Sequence, residues 1–205
     1  MGASDPLGLD ECDVDPDPFR QLRAWYDAAV RDGVRQPDAM TLATATRDGR
    51  VSARMVLLRG IDDDGLVFFT NYDSRKGREL VENPRAALIL HWREQDRQVR
   101  IEGTVARTDP QRADDYWAAR PFGSRVSAYI SPQSEVVADR AELERDAAEA
   151  ATRFADGVVP RPESWGGYVV RPDVFEFWQS RADRLHDRVR YRRERDGWMI
   201  ERLAP

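Results

Sequence analysis

The stretch "MTLATATRDGRVSARMVLLR", residues 40–59, sets the fold. It holds two strand-like runs, "MTLATAT" and "VSARMVLLR", joined through Asp48-Gly49, a dipeptide that tolerates the positive φ of a tight type I′ hairpin. Further strands are predicted at "LVFFT" (66–70), "RAALILHW" (85–92) and "RQVRIEGTVAR" (97–107). After a helical middle they return at "GGYVV" (166–170), "VFEFWQ" (174–179), "RLHDRVRYRR" (184–193) and "GWMIERL" (197–203), the last two joined by Asp196-Gly197. Asp17-Pro18 opens a helix whose Phe19, Leu22, Trp25, Ala29 and Val30 share a face, and Gly33 stops it. Ser74 caps a short helix that Pro84 ends. Helices are also expected at 110–120, 121–130 and 139–156, the last polar on most faces and therefore on the outside. Antiparallel hairpins interrupted by helices indicate a mainly β chain of α+β class, a β-barrel with helices packed against it.

The 205 residues suit one domain, expected at 17–205, behind an acidic arm at 1–16 whose Asp, Pro and Gly content predicts disorder. The net charge of −5 argues against a general nucleic-acid or anionic-membrane binder. No apolar run has the length of a membrane span, and the start lacks the pattern of a secretory signal. Cys12 is the sole cysteine, so no disulfide can form within the chain, and a reducing cytoplasm is expected. His91 lies in an apolar strand without partners at metal spacing and reads as structural; no metal site is expected. There is no P-loop or G-x-G-x-x-G, and the glycine pair of "SWGGY" reads as the start of a strand.

Three groups could carry chemistry. Lys76 is the only lysine among 32 basic residues; with Arg75 it occupies the first turn of the helix capped by Ser74, where free N–H groups favour an anion, and Arg54 projects from the second strand. Tyr116 and Arg120, four apart on a helix, and Ser124 just beyond could hold a phosphate monoester. Alternation in an extended strand would place Arg184, His186 and Arg188 on one face, with the two guanidiniums favouring a neutral imidazole able to accept or relay a proton. Solvated basic surface accounts for each group equally well when it is taken alone.

Taken in order, "RMVLLRG", "VFFTNYDSRKGREL", "RQVRIEG", "YWAARPFGS", "SPQS", "SWGGY", "EFWQ", "RLHDR" and "ERLAP" resemble the pyridoxamine/pyridoxine 5′-phosphate oxidase family over residues 17–205. The resemblance implies an FMN-binding split barrel with flanking helices and a homodimer with flavin sites between subunits. It also implies oxidation of a phosphorylated vitamer to pyridoxal 5′-phosphate, with dioxygen reduced to hydrogen peroxide. It places FMN against Arg54, Met55, Val56, Leu57, Phe69, Thr70, Arg75, Lys76, Gln98, Gln133, Ser134, Trp178 and Arg188. It places substrate against Arg59, Tyr116, Arg120, Ser124, Arg184 and His186, the last two in catalysis. Two features depart from the family pattern: Arg59 stands where lysine is common, and the arm is acidic, with no arginine before Arg20. A same-fold oxidase of phenazine precursors, and a flavin or pyridoxal-phosphate binding protein without turnover, are the alternatives.

Overall fold

Nine strands form one curled antiparallel sheet in the computed structural model, which describes residues 8–63 and 65–205. Its strands are β1 (Ala39–Ala45), β2 (Val51–Leu57), β3 (Gly60–Asp62), β4 (Gly65–Asn71), β5 (Arg85–Trp92), β6 (Arg97–Arg107), β7 (Trp165–Gln179), β8 (Asp187–Glu194) and β9 (Gly197–Arg202). They run in the order β2-β1-β5-β6-β7-β4-β3, with β8 and β9 attached through β7. The sheet curls until β2 meets β4, so its first hairpin closes against its far side as a split barrel. The helices are α1 (Pro18–Arg31), α2 (Arg75–Glu82), α3 (Pro110–Ala119), α4 (Phe122–Ile130) and α5 (Arg140–Arg153). Among the described residues no helix is long and apolar enough to cross a membrane.

Asp17 caps α1 through a bond from the Phe19 amide, and the expected apolar face places Phe19, Leu22, Trp25 and Ala29 in the barrel, whereas Val30, expected on the same face, is exposed. The Trp25 ring meets Phe177 edge to face at 5.2 Å. Met40, Leu42, Leu88, Leu90, Phe68, Phe175 and Tyr191 complete this fully buried layer, each Leu or Phe contributing roughly 1.5–3 kcal/mol. A second cluster of Trp117, Val126, Ala150, Phe154, Val159 and Trp165 holds α3, α4 and α5 against the start of β7.

Four expectations are corrected. "GGYVV" and "VFEFWQ" are one strand, β7, which pairs with β4 through Trp165–Val170 and with β8 through Val174–Gln179. Pro172 does not break it, because its missing N–H falls at the β-bulge where the register against β6 shifts. The short strand β3 escaped the sequence reading. "RLHDR" is not one strand: the ladder ends at Gln179 paired with Asp187, and Ala182–Arg184 forms a single turn with positive φ at Asp183 and Arg184. Residues 8–16 are not a free arm. Leu9 and Val14 are buried, the Leu9 amide donates to Asp187 (3.1 Å), the Tyr191 hydroxyl donates to the Asp15 carbonyl (2.7 Å), and Arg202 pairs with Glu11. Residues 1–7 of that expected arm lie outside the described residues.

Candidate active site

A cleft of about 750 Å³ opens between β2, β4, α2 and the α4 end of the helical layer. It is lined by Arg54, Met55, Val56, Leu57, Arg59, Phe69, Thr70, Arg75, Lys76, Arg120, Gln133 and Ser134, all of them sequence candidates. The local cause at one end is the sharp passage from β4 into α2. Ser74 accepts from the Gly77 amide as N-cap, and a Cβ at Gly77 would collide with the Tyr72 carbonyl, so α2 settles directly onto the strand end. Its first turn thereby delivers Arg75 and Lys76 into the cleft opposite Arg54.

Lys76 is only 7% exposed, and its Nζ donates to Thr70 Oγ1 (3.0 Å), Ser74 Oγ (2.9 Å) and Gln133 Oε1 (2.7 Å). All three acceptors are neutral. Burial, with the Arg54 charge adding to it and Glu79 opposing it, brings the ammonium from 10.5 down to about 8. Arg54 donates to the Leu42 carbonyl (3.2 Å), Thr44 Oγ1 (2.6 Å) and Ser52 Oγ (2.5 Å), and it pairs with Glu79 at 3.3 Å. Arg75 pairs with the other Glu79 oxygen at 2.9 Å. Two guanidiniums thus share one carboxylate with the Lys76 ammonium beside them, an arrangement short of negative charge that suits a phosphate dianion.

The other end of the cleft is aromatic and cationic. Phe69 stacks on Tyr116 at 4.1 Å and on Trp165 at 5.6 Å, and the Arg120 guanidinium lies 4.9 Å from the Trp165 ring. Burial holds Arg120 below its ordinary pKa, with the nearby Arg59 charge acting the same way, and its Nε is buried without a hydrogen-bond partner. Arg120 Nη2 donates to the Ser124 carbonyl (2.9 Å), which ties the end of α3 to the first turn of α4. Arg59 is paired with Asp38 at 2.6 Å.

The remaining candidates lie elsewhere. Gln98, Trp178 and Arg188 are cross-strand neighbours on β6, β7 and β8. The His186 ring packs 4.7 Å from Trp178, while Arg184 is exposed on the turn before it. Arg188 is held by Glu176 (2.8 Å) and donates to the Ala204 carbonyl (2.8 Å). The Arg181 amide donates to His186 Nδ1 (3.1 Å), which makes Nδ1 the unprotonated nitrogen of the neutral ring and leaves the proton on Nε2. Twelve residues of β7, about 40 Å along the strand, lie between Trp178 and Trp165 in the cleft. None of Gln98, Trp178, His186 and Arg188 lines the cleft. His91 is exposed on β5 rather than packed.

Residues 26–154 match the pyridoxamine 5′-phosphate oxidase family, and residues 165–205 match the pyridoxine 5′-phosphate oxidase C-terminal dimerisation region. The chain belongs to the pyridoxamine 5′-phosphate oxidase family. A pyridoxine/pyridoxamine 5′-phosphate oxidase of Rubrobacter xylanophilus is 54% identical over 198 residues, covering 97% of this chain and 91% of that protein. The structure of PhzG from Burkholderia lata 383, in complex with tetrahydrophenazine-1-carboxylic acid, is 38% identical and superposes with a TM-score of 0.92 over 100% of both chains. A pyridoxamine 5′-phosphate oxidase-related, FMN binding protein from Nostoc punctiforme shares the fold at a TM-score of 0.71 and 19% identity, over 92% of this chain and 98% of that one. Within this oxidase-family cleft, sequence reading missed Trp165, Ser127, Ala128 and Ser131, which line it, and Glu79 and Asp38 behind its arginines. The aromatic just before Gly166-Gly167 was the one local signal for Trp165. Asp38 reveals itself only through pairing across elements, whereas Glu79 also carries a local signal, its i,i+4 spacing from Arg75.

Proposed function

We propose that the protein is an FMN-dependent oxidase that converts pyridoxine 5′-phosphate or pyridoxamine 5′-phosphate to pyridoxal 5′-phosphate. The observation that carries this reading is one cleft with two cationic ends, Arg54/Arg75/Lys76 and Arg59/Arg120, on either side of apolar β2 and β4 side chains. The first end holds the FMN phosphate and the second the phosphate of the vitamer. Bound FMN supplies the two-electron acceptor, and dioxygen restores it with release of hydrogen peroxide. The chain's own residues bind and orient. Arg120, with its unpartnered Nε, and Arg59 fix the substrate at its phosphate, remote from the reacting carbon, so that binding energy is used for alignment.

The protein acts as a homodimer in which Trp178, His186 and Arg188 of one subunit face the cleft of the other. The length of β7 between the two groups supports this, as does the match of residues 165–205, which contain all three, to a dimerisation region. Since Nδ1 of His186 is engaged by the Arg181 amide, its Nε2–H serves as a donor that orients the substrate substituent rather than as a base. Peroxide release on addition of each vitamer tests the activity. Co-expression of a Lys76→Met chain with a His186→Gln chain tests the shared site: mixed dimers regain one intact site and part of the activity, whereas sites confined within single chains regain none.

A further inference from the structure

Glu79 has no part in the chemistry described above, yet it is 4% exposed and sits directly behind the phosphate end of the cleft. Its Oε2 accepts from Thr44 Oγ1 (2.5 Å), Ser52 Oγ (2.6 Å) and Arg54 Nη2 (3.3 Å), and its Oε1 accepts from Arg75 Nε (2.9 Å). β1, β2 and α2 therefore converge on one carboxylate, which holds a guanidinium on each of its oxygens. We infer that Glu79 is the positioning residue of the FMN-phosphate site: it orients Arg54 and Arg75 and supplies the one negative charge that lets three cations stand together before the phosphate arrives. The inference rests on the FMN reading of the cleft.

The charges support a role beyond packing. Arg54, Arg75 and Lys76 against Glu79 leave two net positive charges, which match a phosphate dianion. Burial would push Glu79 up, but the bonds from Ser52, Thr44, Arg75 and Arg54 outweigh it and hold the carboxyl at about 2, so it is ionised wherever the protein works. Its charge also opposes the loss of the Lys76 proton. The charged groups that act on Lys76 are Arg54 from β2 and Glu79 from α2, and its acceptors are the neutral Thr70, Ser74 and Gln133. Removing the carboxylate leaves Arg54 as the uncompensated neighbour, and Lys76 then deprotonates at lower pH.

The test is titration of the apo-dimer with FMN and with riboflavin, which lacks the phosphate, followed by quenching of flavin fluorescence. Glu79→Gln should weaken FMN about tenfold at pH 7.5, the scale of a misaligned charged hydrogen bond, and leave riboflavin within about twofold. An alkaline loss of FMN affinity is expected from about pH 8 in the wild type as Lys76 deprotonates, and it should begin at lower pH in the variant. Thr44→Val does not touch the cleft lining but unties both Glu79 and Arg54; it should weaken FMN severalfold with riboflavin unchanged, and it replaces Glu79→Gln should that variant not fold. Unchanged or tighter FMN binding, equal losses for both flavins, or an unmoved alkaline limb would overturn the positioning role. A wild type that binds riboflavin as well as FMN would instead overturn the cofactor reading on which it rests.

Discussion

Replacing Lys76 by methionine separates what the site gives to binding from what it takes from stability. The buried ammonium titrates at about 8 instead of 10.5. At about 1.4 kcal/mol per pH unit, holding the charged form inside the apo-protein costs about 3 kcal/mol. The sign follows from the direction of the shift. The fold favours the neutral amine, so the cost is fully present below pH 8 and disappears as pH rises from about 8 to 10.5. A methionine side chain would fill similar volume without that cost, although Thr70, Ser74 and Gln133 lose their donor. The Lys76→Met apo-protein should therefore be about 1–3 kcal/mol more stable than wild type at pH 7, and the gap should narrow to below about 1 kcal/mol by pH 10. FMN affinity should fall about 10- to 150-fold, the loss of a charged hydrogen bond. Denaturant unfolding of apo-dimers at the two pH values, with FMN titration at pH 7, measures both. A variant less stable than wild type at pH 7 that still binds FMN normally would refute the reasoning.

Three further outcomes follow from the same geometry. Arg120→Ala should raise the KM for phosphorylated vitamer about 10- to 150-fold while FMN content is retained, as measured by steady-state peroxide release and flavin absorbance. His186→Gln should lower turnover with FMN content intact, because the ring lies on Trp178 and outside the phosphate end; stopped-flow reduction of the bound flavin reads this, and a wild-type rate would remove His186 from the site. Deleting residues 1–15 should cost about 3–5 kcal/mol of unfolding free energy through loss of buried Leu9 and Val14, visible as a lowered denaturant midpoint.

The legible parts of the sequence were those with local causes. Asp48-Gly49, the Ser74 cap and the Asp17-Pro18 helix start fix backbone geometry within a few residues, so the first hairpin, α2 and α1 were found with the cations they carry. "RLHDR" misled because its alternation continues smoothly into β8. The turn at Asp183 and Arg184 adopts positive φ without a glycine to announce it. Composition marked residues 8–16 as disordered, yet Leu9 and Val14 are buried by a sheet formed far along the chain. Glu79 read as one more charge on a short helix, since three of its four partners, Thr44, Ser52 and Arg54, are gathered by the pairing of β1 with β2 and the seating of α2.

The most direct test of the account is single-turnover reduction of the FMN-loaded protein under anaerobic conditions, with pyridoxine 5′-phosphate, pyridoxamine 5′-phosphate and unphosphorylated pyridoxine mixed separately. The two cationic ends of the cleft require that at least one phosphorylated vitamer bleaches the flavin while unphosphorylated pyridoxine at the same concentration leaves it nearly oxidised, because Arg120, whose buried Nε has no partner, then lacks its anion. A flavin that stays oxidised with both phosphorylated vitamers, but is bleached by a carboxylated tricyclic substrate of the kind seen in the PhzG complex, would contradict it.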